Sequence, residues 1–280
     1  MDTLTLPKTL TARDLDFFHV FGFLRIPGLA SESTMRSLAG ELDSELREAF
    51  GDTMHPVNAT SGRDGFFVPV MTGRAPTSLE VVDAFAPLAE TLLGRPVLPS
   101  YAEASVYFGP TPWHLDSGSL VGSVRFILYL DPLEGPAGAL LFLPGSHHPE
   151  YRMAYQSLLD SLVVTDESSM VETMDQMPTH VLVSRPGDLL VLDERVWHCS
   201  RAVRRRRQWG MTYVTAPRTP REAGLVRRFF KAEFQPASVR GYDGSRFPYY
   251  DSEWLRSHGD CMRALDELGA TAAAAASARE

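Results

Sequence analysis

Three side chains in this sequence have the chemistry and spacing to hold a divalent metal. His114 and Asp116 stand two residues apart in Pro112-Trp113-His114-Leu115-Asp116. In an extended strand, residues i and i+2 share a face, so an imidazole and a carboxylate placed there converge on one point. His198 follows much later, in Val196-Trp197-His198, on a strand-like run of its own. Two histidines and one carboxylate on one side of a metal leave the other positions open, which is the donor set of a non-haem Fe(II) centre. A His-x-Asp triplet alone occurs by chance in many proteins, so the elements that carry it must make the case.

Those elements fall into two groups. Thr11, with Asp14 three residues on, caps a short helix over 11–21 that ends at Gly22. Phe23–Ile26 is a short strand. Ser31 caps a second helix to about Phe50, with Met35, Leu38, Leu42 and Leu46 at helical spacing. Residues 51–78 are rich in Gly, Pro, Thr and Ser and are expected to form a long loop, a candidate lid. A third helical pattern over 79–93 stops at Gly94. From residue 95 the period becomes that of strands: 97–108, 120–130, 139–143, 181–183, 188–193, 195–200 and 208–215. Gly109-Pro110, Asp131-Pro132, Gly135-Pro136, Pro144-Gly145 and Pro186-Gly187 punctuate them. Many short strands separated this way predict a mainly β fold with flanking helices, an antiparallel barrel or jelly roll of the cupin type. The N-terminal helices should brace its outer face. Residues 150–178 are expected to be an insertion over one barrel mouth, and 217–260 mostly loop with aromatic anchors. A helix is expected near 252–268, and the alanine-rich tail should fray. One domain over 1–280 is the simplest division: helices over about 11–94, a β core over about 95–216, and a C-terminal extension over 217–280.

Composition narrows the partners. A hydrophobic content of 44% supports a sizeable core, and a net charge of -8 argues against a general nucleic-acid binder. No run approaches the ~20 apolar residues of a membrane span, and the N-terminus lacks a signal-peptide core. Cys199 and Cys261 are too few for a disulfide framework, which points to a reducing, cytoplasmic compartment. Oligomeric state is not legible.

Taken in order, the motifs resemble a known family. Trp113-His114-x-Asp116 is followed by a "YLDPL" strand end, "GAL-x-x-x-PGSHH", "PGD-x-x-x-x-D", the isolated His198 and an arginine on the following strand. With the opening "FFHVFGFLRIPGLAS", this pattern over roughly 14–216 resembles the phytanoyl-CoA dioxygenase-like branch of the Fe(II)/2-oxoglutarate-dependent oxygenases. The resemblance implies a double-stranded β-helix with His114, Asp116 and His198 as iron ligands. It also implies 2-oxoglutarate as cosubstrate, O2 as oxidant, release of succinate and CO2, and hydroxylation of a small organic molecule, with a tailoring step in specialised metabolism as the expected setting. Related halogenases carry a small residue where Asp116 stands, so a carboxylate argues for oxygenation. Desaturation, epoxidation, cyclisation and epimerisation remain open on the same scaffold. A vestigial cupin-like binding protein and a zinc hydrolase are rivals from other classes.

The resemblance further implies that an arginine after His198 pairs with the distal carboxylate of 2-oxoglutarate. Arg204 to Arg207 offer four candidates. If 208–215 is a strand, Trp209, Met211 and Tyr213 form a bulky face suited to helices. Gln208, Gly210 and Thr212 form a smaller face suited to a pocket. Arg206 falls on that smaller face, with Arg207 as the register-slip alternative. Arg125, mid-strand in an apolar run, is a further candidate for a carboxylate of cosubstrate or substrate. Arg63, Phe66 and Phe67 in the expected lid, with Tyr107 and Trp113, are weaker candidates for substrate contact. His19, His55, His147, His148, His180 and His258 read as structural, and Cys199 as packing.

Overall fold

The computed structural model describes residues 10–51, 54, 64–133, 138–161, 172, 175–201 and 205–279. The chain begins with helix α1 (Ala12–Phe21), whose Thr11 and Asp14 form a reciprocal capping box. It stops at Gly22 in the left-handed conformation, φ 82°. A side chain at Gly22 would also strike the His147 ring, since a Cβ would lie 2.5 Å from Nδ1. Strand β1 (Phe23–Ile26) follows, then α2 (Glu32–Phe50), capped by Ser31, with Met35, Leu38, Leu42 and Leu46 all buried.

The expected loop over 51–78 is not a loop throughout. Residues Asp64–Pro69 form strand β2, and α3 (Pro76–Leu93) starts earlier than its apolar period. Asp-Gly-Phe-Phe-Val-Pro is short and has no clean alternation, and its partner strand supplies the hydrogen bonds that hold it extended. Proline at the first turn of α3 costs no intrahelical bond.

The remaining strands are β3 (Val97–Phe108), β4 (Thr111–His114), β5 (Ser123–Tyr129), β6 (Leu140–Phe142), β7 (His180–Leu182), β8 (Leu189–Asp193), β9 (His198–Ser200) and β10 (Arg206–Thr215). They form a six-stranded sheet, β1-β8-β5-β10-β3-β2, and a four-stranded sheet, β4-β9-β6-β7. The named strand pairs are all antiparallel. This is the jelly-roll architecture with flanking helices that the strand spacing predicts.

Alternation divides the large sheet as expected. Its outer face carries Phe126, Trp209 and Tyr213, all buried. Phe85 of α3 packs edge-on against Phe126 and Trp209. Trp209 Nε1 donates to Ser78 Oγ (2.8 Å) and Tyr213 Oη donates to the Val82 carbonyl (2.5 Å), so both polar tips of this core end on α3. The inner face is apolar toward the β8 side, where Phe23, Ile127, Tyr129, Leu140, Phe142, Leu190 and Leu192 form a second cluster. Elsewhere it is polar, and that part faces the site.

Residues 150–178 open with a helix, α4 (Pro149–Ser161). Three other expectations change. The C-terminal extension is largely helical: α5 (Pro220–Glu233), α6 (Ala237–Arg240), α7 (Ser252–Ser257), α8 (Gly259–Glu267) and α9 (Ala270–Ser277). The expected helix over 252–268 is split at His258. The alanine-rich tail docks instead of fraying: Ala270, Ala274 and Ser277 are buried, and Ser277 Oγ donates to the Phe234 carbonyl. Tertiary packing, not propensity, supplies this helix with most of its stability.

Candidate metal centre

Strand β4 ends at His114, so the His-x-Asp triplet is only partly a strand, and Asp116 lies just beyond it. The residues converge all the same. His114 pairs across the small sheet with His198 of β9, and the register shifts between Thr111 and His114. An irregularity of this kind re-aims side chains beside a site. His114 Nε2 and His198 Nε2 lie 3.7 and 3.6 Å from the same oxygen, Asp116 Oδ1. All three donor atoms fall within 4.8 Å of one another.

The remaining ring nitrogens set the tautomers. His114 Nδ1 meets the Pro112 carbonyl at 2.8 Å and His198 Nδ1 the Val196 carbonyl at 3.1 Å. A carbonyl can only accept, so Nδ1 carries the proton and the Nε2 lone pair faces Asp116. Burial favours the neutral acid at Asp116, but in the absence of a cation between them the protonated form of His198, the Arg125 guanidinium and the protonated form of His114 outweigh it and hold the carboxyl below its ordinary range. Two imidazole lone pairs and an ionised carboxylate aimed at one point suit a divalent cation.

A cavity of about 70 Å³ extends from this point into the barrel, lined by the three donors with Tyr107, Thr111, Arg125, Ile127, Tyr129, Leu140, Cys199, Arg206 and Gln208. Arg206 stands at the start of β10, on the face the period-two count assigns to it. Only 2% of it is exposed. Nη1 donates to the Gly138 carbonyl (3.0 Å) and Nη2 to Thr111 Oγ1 (3.1 Å). Its guanidinium also lies near the Tyr107 and Tyr129 rings. Nε has no partner among the described residues, and no acidic side chain among them pairs with this cation. Thr111 Oγ1 also accepts from Ser200, which leaves its own proton able to donate into the cavity. A buried cation without an acid, beside a hydroxyl donor, fits the carboxylate of a bound acid.

Arg207 turns to the opposite face. It pairs with Asp131 and Asp43, both at 2.7 Å. The register-slip alternative is therefore corrected: strand alternation carries Arg207 away from the cavity. Arg125 does line the cavity, but its Nη2 is already paired with Glu103, and its Nε lies 3.9 Å from Asp116 Oδ2. Arg63 and Arg204 lie outside the described residues, as does His55.

A second, larger cavity of about 260 Å³ adjoins His114 and Asp116, lined also by Gly65, Phe67, Tyr107, Phe108, Pro110, Thr111, Pro112 and Leu115. Phe67 and Tyr107 are thus placed where a substrate contact is expected. Phe66 and Trp113 are not. β2 turns Phe66 outward against Phe50 and Phe108. Trp113 packs against Leu141 and Cys199, and Cys199 also borders the inner cavity. Burial pushes the Cys199 thiol well up, which suits a packing role. His147 Nε2 bonds the His19 carbonyl, a structural role for the first histidine of "PGSHH".

Sequence reasoning missed Glu103 and Glu194. Both are buried, in strand or strand-end positions that read as apolar. Glu103 is the one acid inside the run over 97–108, a signal that an inward-facing charge needs a partner. Glu194 accepts from Thr212 at 2.8 Å, and burial, with Asp116 adding to it, pushes its carboxyl up to about 7.

Comparison with known proteins places this arrangement. A sequence comparison with curated proteins finds no match. Among solved structures, the chain resembles the non-haem α-ketoglutarate-dependent epimerase SnoN from nogalamycin biosynthesis (19% identity, 73% of this chain and 82% of that one, TM-score 0.55). It also resembles EvdO2 from Micromonospora carbonacea var. aurantiaca (21% identity, 78% and 98%, TM-score 0.54). HygX from Streptomyces hygroscopicus, with nickel and 2-oxoglutarate bound, is similar too (19% identity, 74% and 88%, TM-score 0.52). At these identities the likeness is one of fold. The model of the family described as phytanoyl-CoA dioxygenase (PhyH) matches residues 18–207, from α1 through both histidines and into β10. The chain therefore belongs to the phytanoyl-CoA dioxygenase (PhyH) family of 2-oxoglutarate-dependent non-haem iron oxygenases.

Proposed function

We propose that His114, Asp116 and His198 ligate Fe(II), that Arg206 and Thr111 bind the distal carboxylate of 2-oxoglutarate, and that the protein hydroxylates a small organic molecule held in the outer cavity. The observation that carries this reading is the approach of both Nε2 atoms to Asp116 Oδ1, at 3.7 and 3.6 Å, in the cavity that also holds the uncompensated Arg206. Bound iron, with 2-oxoglutarate and O2, supplies the oxidant that removes hydrogen from an unactivated C–H bond, with succinate and CO2 as co-products.

The protein's own work is to bind, orient and exclude water. The carbonyls of Pro112 and Val196 hold both imidazoles with Nε2 forward. Arg206 sets the depth and direction of the cosubstrate through a fixed fork. Phe67, Tyr107 and Phe108 give the outer cavity an aromatic wall that shields the reacting carbon. Asp116 leaves no small-residue gap for a halide, which favours oxygenation. Some similar structures are an epimerase and a carbocyclase, so the product decides between hydroxylation and those outcomes. Two free cysteines, Cys199 and Cys261, suit a reducing cytoplasm. Among the described residues no helix is long and apolar enough to cross a membrane.

Anaerobic addition of Fe(II) and 2-oxoglutarate is the direct test. The expected result is a weak visible charge-transfer band and a raised unfolding midpoint, followed by succinate release when air and a substrate are admitted. No band, with no thermal shift, refutes the cofactor assignment.

A further inference from the structure

The inner face of the large sheet carries a charged bridge. Arg125 stands on β5 and Glu103 on β3, with β10 running between them. In register, Gly210 of β10 is opposite Glu103 on one side and Ile127 on the other, and Thr212 is opposite Arg125. The Arg125 guanidinium crosses above Gly210, and its Nη2 donates to Glu103 Oε1. A Cβ on Gly210 would lie 2.9 Å from Nη2 and 3.5 Å from Cζ. Gly210 does not have a positive φ, so the missing side chain here serves space and not backbone conformation. Any larger residue would push the guanidinium off the strand.

The other edge of the guanidinium meets the metal centre. Arg125 Nε lies 3.9 Å from Asp116 Oδ2. That oxygen is buried and has no hydrogen-bond partner among the described residues. Its twin, Oδ1, faces both Nε2 atoms. The two oxygens of one carboxylate are thus divided between a prospective metal and a cation.

We propose that Arg125, held by Glu103 across Gly210, is a positioning residue that keeps Asp116 offering Oδ1 alone to the metal. The inference rests on the metal reading above. Rotation of an unrestrained carboxylate can present either oxygen or both. A second metal–oxygen contact would occupy a position that the cosubstrate and O2 require. A cation fixed at Oδ2 opposes that rotation, and groups around a metal's ligands tune affinity and geometry in this way. The bridge also separates the two arginines of the inner cavity by task. Arg125 meets Glu103, whose other oxygen Arg240 Nη1 approaches at 3.6 Å, and Asp116, whereas no acidic side chain among the described residues pairs with Arg206.

Two variants that conserve charge test this. Arg125→Lys keeps the cation but loses the fork that reaches both acids. Gly210→Ala leaves Arg125 intact and denies it the crossing, and Arg125→Lys covers the case in which residue 210 tolerates no side chain. Metal-free protein is titrated with Co(II) by calorimetry and visible absorption, without cosubstrate. The expected result is a Co(II) Kd raised about tenfold to hundredfold, as for other supporting partners of metal ligands, with a changed d–d band as the coordination number changes. At saturating Co(II), the 2-oxoglutarate Kd should stay within about threefold, under 1 kcal/mol. Wild-type Co(II) affinity and spectrum in both variants would overturn the inference. So would an unchanged spectrum with a 2-oxoglutarate Kd raised tenfold or more, which would make Arg125 a cosubstrate ligand. Failure of the wild-type protein to bind Co(II) would instead overturn the metal reading itself, and the inference with it.

Discussion

Replacing Arg206 by glutamine separates binding from folding. In the metal-free protein the guanidinium is buried and bonded to two neutral oxygens, and Nε has no described partner. Truncating one partner of a buried, hydrogen-bonded charge pair costs about 2–5 kcal/mol. At about 1.4 kcal/mol per tenfold, the 2-oxoglutarate Kd should rise roughly 30- to 4,000-fold. Stability should respond differently. The substitution loses two hydrogen bonds to a charged donor, each about 1.5–3 kcal/mol. It also removes a buried cation whose desolvation costs several kcal/mol. These opposing effects should leave the metal-free unfolding midpoint within about 4 °C of wild type, the shift about 1 kcal/mol gives in a protein of this size. The assay is an anaerobic titration of the charge-transfer band with 2-oxoglutarate at saturating Fe(II), paired with thermal unfolding of the metal-free protein. Arg207→Gln is the control. It breaks partly exposed ion pairs to Asp43 and Asp131, so it should cost at most about 1 kcal/mol of stability and leave cosubstrate affinity alone. An affinity loss for Arg206→Gln no larger than that of Arg207→Gln would refute the assignment of the carboxylate site.

Other consequences follow from the same geometry. Asp116→Ala should weaken Fe(II) binding at least ~100-fold by removing a ligand together with its charge and should abolish succinate release; calorimetry and a coupled assay read both. Glu194 is 1% exposed, and its carboxyl titrates near 7 in the folded metal-free protein against 4.5 ordinarily. The folded state then holds a proton that the unfolded state has lost, so stability falls as pH rises from about 4.5 to about 7, by roughly 3 kcal/mol in all. Denaturant unfolding of Glu194→Gln should therefore show a flatter pH profile, with most of its gain above pH 7; a profile parallel to wild type would count against the buried-acid account. Phe66→Ala should lower stability by about 2–3 kcal/mol through lost packing against Phe50 and Phe108. Phe67→Ala should instead change substrate KM or product distribution, and equal stability losses with unchanged kinetics would show that both rings serve only the core.

What was legible in the sequence follows a physical divide. Chain-local signals carried well: the Thr11–Asp14 capping box, the Gly22 stop, the Ser31 cap and the alternation of β10 all depend on neighbours within a few residues. The convergence of His114, Asp116 and His198 was legible because ligand chemistry restricts residue type, and the inward face of Arg206 because a period of two places it. β2 and α9 were not legible, since each is held by contacts distant in sequence: β2 by β3, and α9 by the Phe234 carbonyl and the neighbouring helices. Glu103 and Glu194 were hidden for a related reason. A buried acid within an apolar run shows only that it needs a partner, and the topology names the partner.

Gly210 shows how much depends on that topology. In sequence it is one small residue on the pocket side of a strand, in Gln208-Trp209-Gly210-Met211. Only the strand order β5-β10-β3 makes it the floor of a crossing between two charged side chains. Because the side-chain atoms nearest a Cβ at Gly210 belong to Arg125 and Glu103, its substitution by alanine perturbs their geometry without altering any proposed metal ligand or any charge. If the bridge matters, a single methyl group there should loosen the metal while leaving Arg206 and its carboxylate site intact, an effect that no loss of a donor could imitate.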